Sequence, residues 1–276
     1  MQLPGGLLRD NTRRRDFSFR PLTGAVEMAL TDLSRASASI PRRVTTLLAA
    51  ALEQLADGIP TIEAVAELCV ADRQFLMTRL AAHLGLTQAW QTSRCESCSA
   101  PFDVVIDYRD LPVKEAGQGF PFAEVATQQG VCRFRVPNGA DQEVLADIAG
   151  EEQALHCLLT RCLVATDNDQ QPDPKTFDSE DVAQIESALE AVSPELAVTA
   201  QTSCPACARQ QDVPINLYGF LTGAWADDLL HEVHLLAFSY HWSEQDILAL
   251  PRQRRRHYLT LIDQSFGTTP SPGPYL

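Results

Sequence analysis

The sequence of 276 residues has no run of eighteen apolar residues, which excludes a hydrophobic membrane-spanning helix. Its first residues, Met1-Gln2-Leu3-Pro4-Gly5-Gly6, lack the charged and apolar regions of a signal peptide, so the chain is expected to stay in the cytoplasm. Positive charge is scarce as well: 22 Lys and Arg stand against 36 Asp and Glu, a net charge of −14. That balance argues against a general binder of nucleic acid or of anionic membranes. No Ser/His/Asp set, phosphate loop or open metal site can be assembled from the residues, so the chain reads as a non-enzyme without a small-molecule substrate. A hydrophobic fraction of 45% is ordinary for a globular protein.

What is present in quantity is cysteine, eight in all. In a reducing compartment these are metal ligands and buried thiols more often than disulfides. Four of them form two knuckles, Cys95-Glu-Ser-Cys98 and Cys204-Pro-Ala-Cys207. Gln-Thr-Ser lies just ahead of each, at Gln91 to Ser93 and Gln201 to Ser203. Four residues after each second cysteine comes a shared phrase, Asp103-Val104-Val105-Ile106-Asp107 in one copy and Asp212-Val213-Pro214-Ile215-Asn216 in the other.

A Cys-x-x-Cys turn presents two sulfurs along one edge of a tetrahedron, so two such turns supply the four thiolates of a closed structural zinc site. A compact ribbon has roughly 15–20 residues between its knuckles, whereas 105 intervene here, residues 99–203. The ribbon must therefore be split by an insertion. Redox-active pairs and disulfides are the competing readings; a redox motif would be single and would open a helix in a thioredoxin-like unit. Cys95, Cys98, Cys204 and Cys207 are thus the expected ligands of a structural Zn2+, with another metal or redox activity left open.

Along the chain, residues 1–22 combine Pro4, Gly5 and Gly6 with Arg9, Arg13, Arg14, Arg15 and Arg20. This pattern predicts an extended basic arm, docked either on a partner or on the protein's own acidic surface. Residues 23–86 read as a helical region. Pro41 suits a first turn, Val44, Leu47, Leu48, Ala51, Leu52 and Leu55 recur at helical spacing, and Gly58 is placed as the stop. Thr61 caps a second segment that buries Ile62, Val65, Leu68 and Cys69, and a third runs from Asp72 to Gly85. Cys69 lies on an apolar face and reads as a core thiol.

Residues 87–136 hold the first knuckle, a strand from Phe102 to Tyr108, a loop at 110–129 broken by Pro112, Gly117, Gly119 and Pro121, and a strand from Gly130 to Val136. Pro137-Asn138-Gly139 is a turn signal. Residues 137–194 read as an inserted helical subdomain, with one helix through Leu155, Leu158, Leu159 and Leu163 and another from Ser179 to Ala191. Cys157 and Cys162 are five apart and face different ways, so they make no metal pair. Residues 195–216 carry the second knuckle, 217–266 are helical and 267–276, with three prolines, are expected to be disordered. The expected class is α+β, mostly helical, with a split zinc ribbon joining helical regions.

Two sites in the last third invite chemistry. His231-Glu232-Val233-His234 has its histidines at i and i+3, whereas the zinc-protease helix needs i and i+4 on one face. Arg252, Arg254, Arg255 and Arg256 fan around a helix by about 200°, too wide for one nucleic-acid-reading stripe. Cations in a first turn oppose the helix dipole by ~0.3–1 kcal/mol, which calls for carboxylates, from Glu244 and Asp246 or from a partner.

The phrase from Tyr240 to Leu259, Tyr240-His-Trp242-Ser243-Glu244-Gln-Asp246 through Leu250-Pro251-Arg252-Gln-Arg254-Arg255-Arg256-His-Tyr258-Leu259, resembles a C-terminal signature of tail-assembly proteins. Together with Leu3-Pro4-Gly5-Gly6-Leu7-Leu8-Arg9-Asp10, Arg15-Asp16 through Gly24, and Val136-Pro137-Asn138-Gly139 through Glu143, it makes the chain resemble the T4-type baseplate hub assembly chaperone family of phage tails and phage-like contractile injection systems. The resemblance implies a non-enzymatic assembly factor whose partners are baseplate or tail-hub proteins. A permanent structural baseplate component, or a zinc-ribbon nucleic-acid binder, is the alternative. The partner-binding candidates are Arg13, Arg14, Arg15, Trp242, Arg252, Arg254, Arg255 and Arg256.

Overall fold

A computed structural model of the protein describes residues 1–164, 172–222 and 227–265; the expected disordered tail, 267–276, lies outside them. The fold is α+β, with about 45% helix and 26% strand, and its sheets have two or three strands each. The chain divides into two compact units, Met1–Ser18 with Ala38–Gly219, and Phe19–Ser37 with Phe220–Leu276. No helix among the described residues is long and apolar enough to cross a membrane.

The first unit begins with a hairpin of β1 (Gln2–Arg9) and β2 (Thr12–Phe19), so residues 1–22 are not an extended arm. Asp10 and Asn11 take the positive φ of a tight hairpin turn, and Leu3, Leu7 and Phe17 are buried. Gly5 and Gly6, expected in the extended arm, donate their N–H groups to the buried Asp72 carboxylate, each at 2.7 Å. A Cβ on Gly5 would fall 2.7 Å from that carboxylate. Burial pushes the Asp72 carboxyl up from its ordinary range, and the two N–H groups pull against that shift.

Next in sequence, α1 (Gly24–Ser34) belongs to the second unit and α2 (Ile40–Ala51) to the first. The expected single helical region at 23–86 is therefore divided. α2 ends before Gly58, because Leu52–Leu55 forms β3 and completes a sheet of order β1-β2-β3. Apolar residues at helical spacing could not reveal this change, since Leu52 and Leu55 are buried in either conformation. Then follow α3 (Ile62–Ala66), capped by Thr61, and α4 (Val70–His83). Ile62 is exposed; Val65, Leu68 and Cys69 are buried as expected.

β4 (Gln88–Arg94) and β5 (Pro101–Asp107) make the first knuckle hairpin. The stretch expected as a loop contains β6 (Val113–Lys114) and the whole of β7 (Phe122–Thr127), which pairs with β8 (Gly130–Arg135). Its breakers end at Pro121, and Ala123 and Val125 then alternate inward. Asn138 is not a simple turn residue: its side chain and Asp141 form a capping box that opens α5 (Gly139–Leu145). Asp141 is also held by Arg135 and Arg161. α6 (Glu151–Cys162) and α7 (Ser179–Val192) cover β7 and β8 over a core of Val125, Cys132, Phe134, Leu159, Cys162 and Ile185. β9 (Glu195–Leu196) pairs with β6, and β10 (Thr199–Ser203) with β11 (Gln210–Pro214) closes the unit.

The second unit holds α1 with α8 (Asp227–Tyr240), α9 (Glu244–Ala249) and α10 (Arg252–Ser265). Leu229, Val233, Leu236, Ile247 and Ile262 form its core, while Leu230 on the same helix as Leu229 is exposed. Ser243 caps α9 by accepting the Asp246 N–H.

Candidate metal centre

The two knuckles have the same backbone. Cys95 N–H donates to the Ala100 carbonyl and the Cys95 carbonyl accepts from Ser99; Cys204 repeats both bonds with Arg209 and Ala208. Ser99 and Ala208 both have positive φ, 59° and 58°. The strand register extends the equivalence, since Arg94 faces Pro101 in one hairpin and Ser203 faces Gln210 in the other. Phe102, Val104, Ile106 and Tyr108 then correspond to Gln211, Val213, Ile215 and Leu217, all buried.

This register corrects the repeat seen in the sequence. The phrase after the knuckles aligns as written, but the two Gln-Thr-Ser phrases are offset by one residue, since Arg94 stands between Ser93 and Cys95. A one-residue slip in a strand exchanges its faces, so Gln91 and Gln201 are not counterparts. Gln91 instead reaches the other hairpin, its Oε1 accepting the Asn216 N–H at 3.0 Å. Gln211 reaches back, donating to the Arg94 carbonyl at 3.1 Å and accepting from Glu96 N–H at 3.0 Å. Tyr108 adds a third link by donating to the Asn216 carbonyl. None of these stitches was visible in the sequence. Gln211 carries the one signal that could have found it, a polar residue at an inward position of the alternation.

Cys95, Cys98, Cys204 and Cys207 come together, their sulfurs all within 4.8 Å of one another. Cys95 and Cys207 sulfurs are 3.6 Å apart, and those of Cys98 and Cys204 3.7 Å. A tetrahedron with metal–sulfur bonds of about 2.3 Å has edges of about 3.8 Å. Disulfide sulfurs would lie at about 2.05 Å, and all four cysteines are free. Cys95 and Cys204 are buried, Cys98 and Cys207 exposed.

The electrostatics of the cluster favour a cation. Backbone N–H groups of Cys98 and Ser97 draw the Cys95 thiol down to about 6. At Cys207 the Arg209 N–H also favours the thiolate, yet the neighbouring sulfurs of Cys98, Cys95 and Cys204 outweigh it and push the thiol up to about 12. Four thiolates cannot accumulate this close without a positive charge between them. These residues fit a divalent, thiophilic metal, and with four ligands the coordination is closed.

The knuckles and the whole segment between them lie within the first unit. The cluster therefore joins residues 88–107 to 199–214, rather than the two ends of the chain.

The arginine candidates divide. Arg14 meets Asp57 at 3.1 Å and Arg15 meets Glu115 at 2.9 Å, while Arg13 donates to the Ala116 carbonyl. These contacts put the basic hairpin on the protein's own acidic surface. Arg254 and Arg256 are exposed. Arg255 is fully buried, which removes it from any partner surface: its guanidinium donates to Glu27 at 2.6 Å, to Glu232 at 2.9 Å and to the Leu250 carbonyl at 2.9 Å. Arg252 lies 3.7 Å from the same Glu27. The carboxylates that offset the basic first turn are thus Glu27 and Glu232, not Glu244 and Asp246. Trp242 is half-buried and stacks on Tyr240, with Tyr258 edge-on, both centroids at 4.9 Å. Of the histidines weighed above, His234 stacks on Phe238 and neither it nor His231 belongs to a metal cluster among the described residues. Comparison with protein-family models, with curated proteins and with solved structures finds no match to this chain.

Proposed function

We propose that the four cysteines hold a structural Zn2+ as a split zinc ribbon, and that the chain is a non-enzymatic, cytoplasmic assembly factor for the baseplate or tail hub of a phage-like contractile injection system. The metal half of the reading is carried by the four mutually close sulfurs on two knuckles of identical hydrogen bonding. A closed thiolate site polarises no substrate and serves folding.

The assembly half rests on the resemblance of the segment from Tyr240 to Leu259. Several side chains of this segment help to build the second unit: Tyr240, Trp242 and Tyr258 pack on one another, Ser243 caps α9, and Arg255 is locked between carboxylates. A shared fold would keep such residues, and the step from a shared fold to a shared role is one of analogy alone. Elemental analysis of the purified protein should give about one zinc per chain, as one four-ligand site requires. Deleting the gene should abolish mature particles while the protein is missing from purified ones. Recovery of the protein at fixed stoichiometry in particles would instead make it a permanent structural component.

A further inference from the structure

The first unit has an apolar trough between α6 and α7 that the metal site and the arginines do not use. Two cavities, of about 350 and 440 Å³, share Leu155, Leu159 and Val182 and so run into one another. Phe134, Cys162 and Ile185 line one end of the floor, and Phe177 lines the other. The walls repeat at helical spacing: Leu155, Leu158, Leu159 and Cys162 on α6, Val182, Ile185 and Leu189 on α7. From Val182 to Glu190 the trough extends along about 12 Å of α7 at 1.5 Å per residue, a little over two turns of a bound helix. Leu155 is 42% exposed at its lip.

The charge of the lining selects an occupant. Glu152, Glu186 and Glu190 line the trough, and none of them makes an ion pair among the described residues. Among the described residues Lys175 is the one Lys or Arg in the lining, confined to one end. At that end His156 keeps a buried Nδ1 without a hydrogen-bond partner among the described residues. The chain as a whole is also acidic, at −14, so a cationic segment is drawn in from a distance. Both walls are helices whose backbone groups are used internally; an extended segment would find no ladder there, whereas a helix brings its own bonds.

We infer that this trough is a docking site for a basic amphipathic helix of a partner protein, with apolar anchors at i, i+3 or i+4, and i+7 on the floor and lysines or arginines over Glu152, Glu186 and Glu190. This rests on the trough alone and holds whether or not the partner belongs to a baseplate; neither zinc content nor a deletion phenotype bears on it.

The test is fluorescence polarisation of the full chain with a labelled peptide of about 18 residues that places leucines at helical spacing and lysines elsewhere. Saturable binding is expected, at least about tenfold tighter than for a peptide of the same composition with its leucines scrambled, and tighter by a similar factor than for one with glutamate in place of lysine. Leu155→Arg should weaken binding about tenfold or more. Glu186→Gln with Glu190→Gln, at exposed positions that leave the fold intact, should weaken it by a few-fold, and this pair decides the matter if the leucine variant fails to fold. Equal affinity for the scrambled peptide, or unchanged binding by the paired glutamine variant, overturns the inference. A dimer in sedimentation that Leu155→Arg dissolves overturns it too, in favour of a second copy of this chain.

Discussion

Each unit of the protein ties together segments far apart in sequence, and the two do so by different chemistry. In the first, four cysteines bring residues 95–98 against 204–207. In the second, Arg255 binds Glu27 across 228 positions. Cysteine is rare, and a repeated Cys-x-x-Cys has few uses, so the first tie announces itself. Arginine is common on surfaces, and one inside a basic run looks like its neighbours. The difference lies in burial: Arg255 is fully buried with two carboxylates, whereas Arg254 and Arg256 on either side are exposed. A helix rotates 100° per residue, so adjacent arginines in one run must face different surroundings.

The largest loss is expected at the cysteines. Replacing Cys204 with serine, or stripping metal with a chelator, should abolish bound zinc and the cooperative unfolding of the first unit. Structural zinc contributes about 10–16 kcal/mol in small peptides, against a domain stability of about 5–15 kcal/mol. Retained cooperativity in metal-free protein, followed by circular dichroism, would refute a folding role for the metal.

Arg255→Met comes next. Removing one member of a buried ion pair costs about 3–5 kcal/mol because the remaining charge is left uncompensated, and Glu27 is 2% exposed. The double variant Arg255→Met with Glu27→Met should recover much of that loss in urea denaturation, since apolar replacement of buried ion pairs is often neutral. Zinc content should not change in either.

Asp141 offers a tie of intermediate size. Burial raises its carboxyl, but Arg135, the Asn138 N–H and Arg161 outweigh burial, and the group sits below its ordinary value of 3.8. A carboxyl depressed in the folded state stabilises above its unfolded value and loses that contribution as pH falls through the folded one. Asp141→Asn should therefore cost about 1.5–3 kcal/mol at neutral pH, as for hydrogen bonds to charged groups, and the gap to the native protein should close below pH 3.8. A gap that is constant across that range would show that the charge is not what holds β8, α5 and α6 together.

Gln211→Ala tests the clasp without touching a sulfur. It removes two bonds between the hairpins, worth about 1–2 kcal/mol in total, and should leave metal stoichiometry unchanged. The smallest effect belongs to Arg254→Ala, expected within about 0.5 kcal/mol for an exposed site; a loss as large as that of Arg255→Met would erase the distinction between the two arginines.

Much of the local structure was legible. Pro41, Thr61 and Gly85 stand at helix ends where capping and turn chemistry predict them, because that chemistry is decided within a few residues. The β3 strand was not legible, since a run of buried leucines satisfies a helix or a strand and only pairing with β2 chooses between them. The basic hairpin misled for a related reason. Gly5 and Gly6 look like flexible punctuation until the Asp72 carboxylate, 66 positions away, accepts their N–H groups.

The clustering of Cys95, Cys98, Cys204 and Cys207 was already written in local patterns: two knuckles, their shared turn and the alternation that follows, which leave four thiols few arrangements. Tertiary structure alone decided that the site closes within one unit, that Gln91 and Gln211 stitch its hairpins, and that α1 leaves its neighbours to receive Arg255. These facts depend on which distant segments meet, and the free energy of such meetings belongs to pairs of residues, not to either residue's place in the chain.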